Sequence, residues 1–170
     1  IERLITDYSQ MLKDEASLSR EKMKILDIKS LVENVVDEFK SNGSVTEKKI
    51  KFKVTRQKPN GHELKLKGIG NRLEQVLANL FDNAISFSPE NSEILIDINA
   101  SNDEILIKIK DNGPGFKESD TEKIFRRFYS NRPEKFGEHS GLGLNIVKSI
   151  VEMHGGTVKA SNRIDGKNGA

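Results

Sequence analysis

The stretch Asp111-Asn112-Gly113-Pro114-Gly115, taken with Gly141-Leu142-Gly143-Leu144 further along the chain, decides how this sequence is interpreted. Glycine adopts backbone angles that other residues avoid, and it lets a ligand approach the main chain closely. A glycine turn that opens a helix also presents backbone N–H groups at the positive end of the helix dipole, which suit phosphate oxygens. Neither turn has the spacing of a P-loop or of a dinucleotide-binding motif. The two turns therefore favour a phosphate-binding site of another kind.

The first turn follows a predicted strand, which Asp111 ends. A carboxylate at that place can accept a hydrogen bond from an exocyclic amine. The alternative is an ordinary Asp-Asn-Gly turn, since Asp and Asn favour turns through local hydrogen bonds. The residues alone leave both interpretations open.

A long amphipathic helix is predicted upstream, over residues 71–87. Its buried face has apolar residues at helical spacing: Leu73, Val76, Leu77, Leu80, Phe81 and Ala84. A narrow polar stripe lies beside them, and in it Asn79 and Asn83 are four residues apart, so they point the same way. Amide oxygens are suitable ligands for Mg²⁺, and amide N–H groups donate to phosphates. For this helix alone, the alternative is a solvent-facing polar stripe.

The other elements are predicted from the apolar periodicity. They are a helix within residues 1–20, a strand at 25–28, a helix at 31–39, a hairpin of strands at 50–54 and 64–66, a second hairpin at 94–98 and 105–109, a helix at 142–153 capped by Gly155 and Gly156, and a final strand at 158–164. Because the strands come in hairpins, the fold class is predicted as α+β, with a mixed or antiparallel sheet and helices on one face.

Composition narrows the function classes. The 170 residues suffice for one compact domain and an appendage, and the net charge of +2 gives no indication of nucleic acid binding. The chain has no cysteine, which excludes disulfides and cysteine-based zinc sites, and its three histidines are scattered. No apolar run reaches the roughly 18 residues of a membrane-spanning helix. We therefore expect a cytosolic fragment of a longer protein.

Four ordered motifs resemble the N-box, G1 box, F-box and G2 region of sensor histidine kinases, the protein-histidine kinases of two-component signal transduction and phosphorelays. They are Asn79-Leu80-Phe81-Asp82-Asn83-Ala84, the Asp111–Gly115 run, Phe125-Arg126-Arg127-Phe128-Tyr129, and the Gly141–Leu144 run with the later His154-Gly155-Gly156. The resemblance covers about residues 25–165. It implies the Bergerat ATP-binding (HATPase) fold of the GHKL superfamily, a two-layer α/β sandwich with a mixed, mostly antiparallel sheet and helices on one face, preceded by a short helix.

The resemblance also implies a domain division. Residues 1–24 are similar to the end of the dimerisation and phosphoacceptor helix with its linker, and residues 25–170 to the ATP-binding catalytic domain without its final strand. The phosphoacceptor histidine and its flanking motif are absent from this sequence. No certain catalytic residue is therefore assigned within the chain.

Residue roles follow from the resemblance alone. Asn83 would hold Mg²⁺, with Asn79 near the phosphates, and Asp111 would recognise the adenine amine. Gly113 and Gly115 would let the chain bend around the base. Gly141, Leu142, Gly143 and Leu144 would face the phosphates, and residues 126–140 would form a lid over ATP. The family often has Lys or Arg where this chain has Ser86, so Arg127, Arg132 or Lys135 is expected to supply phosphate charge instead.

The implied function is to position Mg-ATP for γ-phosphoryl transfer to a histidine on a separate dimerisation domain, which then phosphorylates a response regulator. The full-length protein is expected to be a homodimer, and this part is expected to be the cytoplasmic portion of a membrane-anchored sensor. Related ATPases of the superfamily have a water-activating Glu where this chain has Asn79, so efficient hydrolysis is not expected. The alternative is a non-catalytic nucleotide-binding interaction module.

Overall fold

The computed structural model describes residues 21–57, 63–101, 104–117, 121–126 and 142–170. The predicted helix within residues 1–20 lies outside the described residues, as do positions 127–140 of the predicted lid. The elements in chain order are β1 (Lys24–Asp27), α1 (Ile28–Lys40), α2 (Gly43–Lys48), β2 (Lys51–Gln57), β3 (Lys65–Gly68), α3 (Gly70–Phe87), β4 (Glu93–Ala100), β5 (Ile105–Lys110), a 3₁₀ helix (Thr121–Phe125) and α4 (Gly143–Met153). This order confirms the predicted α+β class.

Side-chain caps explain two of the helix starts. The Asp27 carboxylate accepts a hydrogen bond from the Ser30 N–H at 3.0 Å, which starts α1. The Asn42 side chain accepts one from the Ser44 N–H at 2.9 Å, which starts the short helix α2. The sequence analysis did not predict this short helix. Helix α2 ends at Lys49, a non-glycine residue in the left-handed region, with φ of 54°.

The sheet pairing corrects one prediction. Strands β2 and β3 do not form a hairpin. Strand β2 runs parallel to β4, with Lys51 opposite Glu93, while β3 is antiparallel to β1. The predicted β4–β5 hairpin is confirmed, and the three-stranded sheet has the order β2-β4-β5. Strand β4 takes the central position, and its alternate residues Ile94, Ile96 and Ile98 are fully buried in the main apolar core.

The predicted final strand is wrong as well. Residues 154–170 contain no strand; Ile164 is fully exposed, and Val158 packs against the residues of α4. The backbone turns back on itself, because the Arg163 N–H donates to the Gly169 carbonyl at 3.0 Å. The Asp111 N–H in turn donates to the Ala170 carbonyl at 2.9 Å. These hydrogen bonds occupy backbone groups that a strand ladder would need.

Helix α3 lies at the centre of the molecule. Phe81 is fully buried and contacts the rings of Phe39 and Phe52 at centroid distances of 5.6 and 5.5 Å. Another part of the helix packs Val76 against Val147 of α4 in a separate apolar cluster. The polar stripe of α3 is therefore held between the main core and α4. Among the described residues, no helix is long and apolar enough to cross a membrane.

Candidate nucleotide site

The polar stripe of α3 meets α4 at Asn79. A Cβ atom built on Gly143 would lie 3.3 Å from the Asn79 side-chain oxygen, so the amide lies directly against the first residue of α4. The helix begins at Gly143, one residue after the predicted start at residue 142. Leu142 occupies the N-cap position with its side chain buried, and it has no group that can accept a hydrogen bond from the helix N–H groups. The N–H groups at the start of α4 therefore have no side-chain cap, and such groups can donate to phosphate oxygens.

The glycine turn meets α3 about two turns further along. A Cβ atom on Gly113 would lie 2.9 Å from the carbonyl oxygen of Phe87, the last residue of α3. Glycine is needed at position 113 because of this close approach. Asn83 lies between Asn79 and Phe87 on the same helix and is half-buried. Helix α3 therefore joins the two predicted halves of the site.

Asp111 lies at the start of the turn with its carboxylate partly buried. Its Oδ1 atom accepts hydrogen bonds from the Gly113 N–H at 2.8 Å and the Ala170 N–H at 3.3 Å. Burial raises the pKa of Asp111 above its ordinary value, and these two N–H donors and Arg163 oppose that effect only in part. A partly desolvated carboxylate is an effective acceptor for an N–H donor, because less water competes for it.

The far end of the turn is closed by a residue that the sequence analysis missed. The Asn162 side-chain oxygen accepts from the Phe116 N–H at 2.5 Å, and its Nδ2 donates to the Phe116 carbonyl at 2.8 Å. Gly115 has φ of 71°, and a Cβ atom there would lie 2.6 Å from the same Asn162 oxygen. Glycine is therefore required at position 115 by both the left-handed backbone angle and the close contact with Asn162.

Two basic residues that support the site were also missed. Arg163 donates from Nη1 to the Asp111 carbonyl at 3.0 Å and to the Asn112 side-chain oxygen at 2.6 Å. Lys48 donates to three carbonyls at the C-terminal end of α3, those of Ile85, Ser86 and Ser88, at 2.9 to 3.1 Å. The available signals were the polar run at residues 162–166 and a lysine at the end of α2, but neither shows its distant partner.

A histidine also connects the two helices of the site at the end away from the glycine turn. The Ile69 N–H donates to His154 Nε2 at 3.0 Å, and His154 Nδ1 lies 2.7 Å from the Ile150 carbonyl. These partners require the neutral ring with its proton on Nδ1. The C-terminal end of α4 is thereby fixed to the start of α3. The predicted cap is present here, since the N–H groups of Gly155 and Gly156 donate to carbonyls of the last turn of α4.

Three of the predicted phosphate-binding residues, Arg127, Lys135 and Gly141, lie outside the described residues. In the part of the chain that is described, no group of three or more His, Asp or Glu side chains could hold a metal ion. The remaining candidate ligand for Mg²⁺ is the Asn83 amide, a hard oxygen donor. This fits an ion that takes most of its other ligands from water and substrate phosphates.

Comparison with known proteins identifies the family. Residues 68–169 match the family described as "Histidine kinase-, DNA gyrase B-, and HSP90-like ATPase". The chain is 38% identical over 173 residues to "Sensor protein ChvG" of Rhizobium meliloti, a match that covers 99% of this chain and 30% of that protein. The chain thus spans less than a third of the length of this relative.

Solved structures show the same fold. The catalytic domain of histidine kinase ThkA superposes with a TM-score of 0.74 at 27% identity, over 88% of this chain and 91% of that one. A second structure, of ThkA in complex with response regulator protein TrrA, superposes with a TM-score of 0.73 at 24% identity, over 97% of this chain and 45% of that one. Since the family match takes in more than half of the sequence, the chain belongs to the histidine kinase-, DNA gyrase B- and HSP90-like ATPases, and the relatives it resembles within that family are sensor kinases.

Proposed function

We propose that this chain is the ATP-binding domain of a sensor histidine kinase, positioning Mg-ATP for transfer of its γ-phosphate to a histidine on a separate dimerisation domain. The observation that carries the proposal is the placement of Asn79 and Phe87 on one helix. Asn79 contacts the start of α4, and Phe87 contacts the Asp111 turn. The two positions are about 12 Å apart along the helix axis, which is the scale of a nucleoside triphosphate.

In this proposal each site residue has a defined role. The N–H groups at the start of α4 and the Asn79 amide bind phosphate oxygens, and Asp111 accepts a hydrogen bond from the adenine amine. Asn83 holds Mg²⁺, which neutralises phosphate charge when it is bound. Arg127, Lys135 and Gly141 complete the phosphate contacts. Residues 126–140 cover the nucleotide, and this lid is a proposal from the sequence alone.

The proposed reaction needs no nucleophile activated by this chain. Phosphoryl transfer depends mainly on positioning and charge neutralisation, so a well-placed acceptor histidine needs no further base. Water would need one, and Asn79 has an amide in place of the carboxylate that could take its proton. Slow hydrolysis and efficient transfer are therefore compatible with this site.

The proposal implies partners and a location. A phosphoacceptor helix hairpin would supply the histidine, as a homodimer in the full-length protein. A response regulator would accept the phosphoryl group, and the structure of ThkA with TrrA supports this assignment. Nucleic acid is not a proposed partner. The domain would act in the cytoplasm, where ATP is present, as part of a membrane-anchored sensor.

The test measures transfer directly. The chain is mixed with radiolabelled ATP and Mg²⁺, with and without a cognate hairpin that contains the acceptor histidine. We expect acid-labile label on the hairpin and little ATP turnover by the chain alone. Rapid turnover without the hairpin would instead indicate a hydrolase, and tight ATP binding with no transfer would indicate a non-catalytic binding module.

Asn83→Ala gives the first prediction. Loss of the amide oxygen should abolish Mg²⁺-dependent ATP binding and label transfer without unfolding the chain, because Asn83 lies off the apolar face of α3. The matched control is Asn99→Ala on the outer face of β4, away from the site, which should leave both unchanged. Calorimetric titration of ATP with and without Mg²⁺ measures the effect; equal affinities for Asn83→Ala and the unmodified chain would remove Asn83 from the site.

A further inference from the structure

A segment distant in sequence encloses the turn that begins with Asp111. We call residues 162–170 the tail loop. Its first two residues contact opposite ends of residues 111–116, and its last residue donates to the Asp111 carboxylate. Gly169 passes so close to the Asp111 carbonyl that any side chain would collide with it, and its φ of 125° also favours glycine. The turn is therefore shaped by the tail loop as well as by its own sequence.

Asn162 fixes the far end of the turn. Its amide group forms two hydrogen bonds with the backbone of Phe116, one as acceptor and one as donor. This arrangement imitates the pairing of two strand residues, and it defines both the position and the orientation of the Phe116 peptide groups. Asn162 is itself exposed, so replacing it removes these bonds without opening the core.

Arg163 fixes the near end. Its side chain is 2% exposed, and Asp165 forms two bonds with it, through Nε at 3.0 Å and Nη2 at 2.5 Å. The remaining nitrogen, Nη1, contacts the Asp111 carbonyl and the Asn112 side chain. Because the guanidinium is planar, the bond to Asp165 determines where Nη1 points. Lysine has the same charge but lacks this fork of donors.

We propose that Arg163 and Asn162 are positioning residues that hold the Asp111 turn in the shape that distinguishes adenine from other bases. This inference rests on the proposed function, since it assumes that Asp111 contacts the base. Arg163 orients the peptide group of Asp111, and Asn162 holds the turn at the opposite end. Base discrimination requires a carboxylate that cannot shift to suit a guanine carbonyl, so loosening either end should reduce selectivity.

The test compares ADP and GDP by calorimetry in the unmodified chain, in Arg163→Lys and in Asn162→Ala. We expect the unmodified chain to prefer ADP. Each variant should bind ADP roughly tenfold or more weakly, the effect of losing a charge-assisted or paired hydrogen bond. GDP affinity should change less, so the ratio of the two affinities should fall.

Two controls separate positioning from general stability. Arg56→Lys makes the same change on the surface, where Arg56 is half-exposed and lies 3.9 Å from Glu33, and should leave the ratio unchanged. Val32→Ala, a buried site in α1, should lower the unfolding temperature yet keep the ratio. If Arg163→Lys does not fold, Asn162→Asp, which keeps the acceptor and loses the donor, provides the same comparison.

The outcomes are distinguishable. An unchanged ratio in folded Arg163 and Asn162 variants, with clear ADP preference in the unmodified chain, overturns this inference and leaves the proposed function intact. A ratio that falls equally in Val32→Ala also overturns it, because the effect would then be one of stability. No nucleotide binding, or no ADP preference, in the unmodified chain overturns the assignment of Asp111 and with it this inference.

Discussion

At Asp111, burial of the carboxylate costs stability, while the proposed site uses that carboxylate to accept a hydrogen bond from the base. Burial raises its pKa above the unfolded value, so the ionised carboxylate is less favourable in the folded chain than in water. The stability contributed by this group therefore rises as the pH falls through the raised pKa towards the unfolded value, and it is lost at neutral pH. This cost fits the proposed role of the carboxylate in ligand recognition.

Asp111→Asn should separate these two effects. The neutral amide keeps an acceptor for the Gly113 N–H and removes the buried charge, so the unfolding midpoint at pH 7 should rise by a few degrees. The preference for ADP over GDP should be lost. Thermal unfolding at pH 7 and at pH 4 checks the first effect, since the advantage of the variant should shrink at the lower pH. A variant that is less stable at pH 7 would contradict the assigned cost of burial.

Lys49 is strained by its backbone conformation. Its φ of 54° is unfavourable for any residue with a Cβ, and it ends α2 in that conformation. Lys49→Gly should increase the free energy of unfolding by about 1 kcal/mol, the typical cost of a non-glycine residue in this region. Urea unfolding measures it. The matched Lys53→Gly, in the middle of β2, should destabilise the chain instead, and a gain there would mean that the backbone angle is not the cause.

At the level of elements, helix α3 depends on a residue from outside it. Lys48 satisfies three carbonyls that the end of the helix leaves without intrahelical partners, and its positive charge favours that end of the dipole. Lys48→Met should cost about 1 to 3 kcal/mol of stability, because partly buried carbonyls lose their donors. It should also weaken nucleotide binding, since Phe87 and the glycine turn are next to this end.

The comparison variant is Lys40→Met. Lys40 is exposed, and its pair with Asp37 at 2.7 Å lies on the surface, so its loss should have little effect on stability or binding. Urea unfolding and ADP titration of both variants test the prediction. Equal effects of the two substitutions would show that the contacts of Lys48 with α3 contribute nothing specific.

Several elements could be predicted from local sequence patterns. Helix α3, the β4–β5 hairpin and the glycine cap of α4 follow from apolar periodicity and local turn chemistry, and all three were predicted. The prediction of a β2–β3 hairpin was wrong. The two strands are adjacent in the sequence, but β2 pairs with β4 and β3 pairs with β1. Helix α2 was not predicted, because its six residues include a single buried apolar side chain, Val45, and therefore show no periodicity.

For the whole molecule, the ordered motifs predicted the family and the fold. The structure places Asn79 against Gly143 and Phe87 against Gly113, so helix α3 borders both glycine turns. The supporting residues Lys48, Asn162 and Arg163 were not predicted, because each acts on a segment between 37 and 52 residues away. Contacts of that length leave no periodic signal in the sequence.

The parallel pairing of β2 with β4 has a consequence for how the chain reaches its native state. Parallel neighbours need a crossover, and here β3 and α3 lie in the connection between them. The sheet therefore closes only after a long loop has been ordered, which slows folding. Phe81→Leu, which weakens the packing of α3 on the core, should slow refolding more than it speeds unfolding, and stopped-flow mixing with urea tests this. Helix α3, which carries the proposed nucleotide contacts, would then also set the pace at which newly made chains reach the native state.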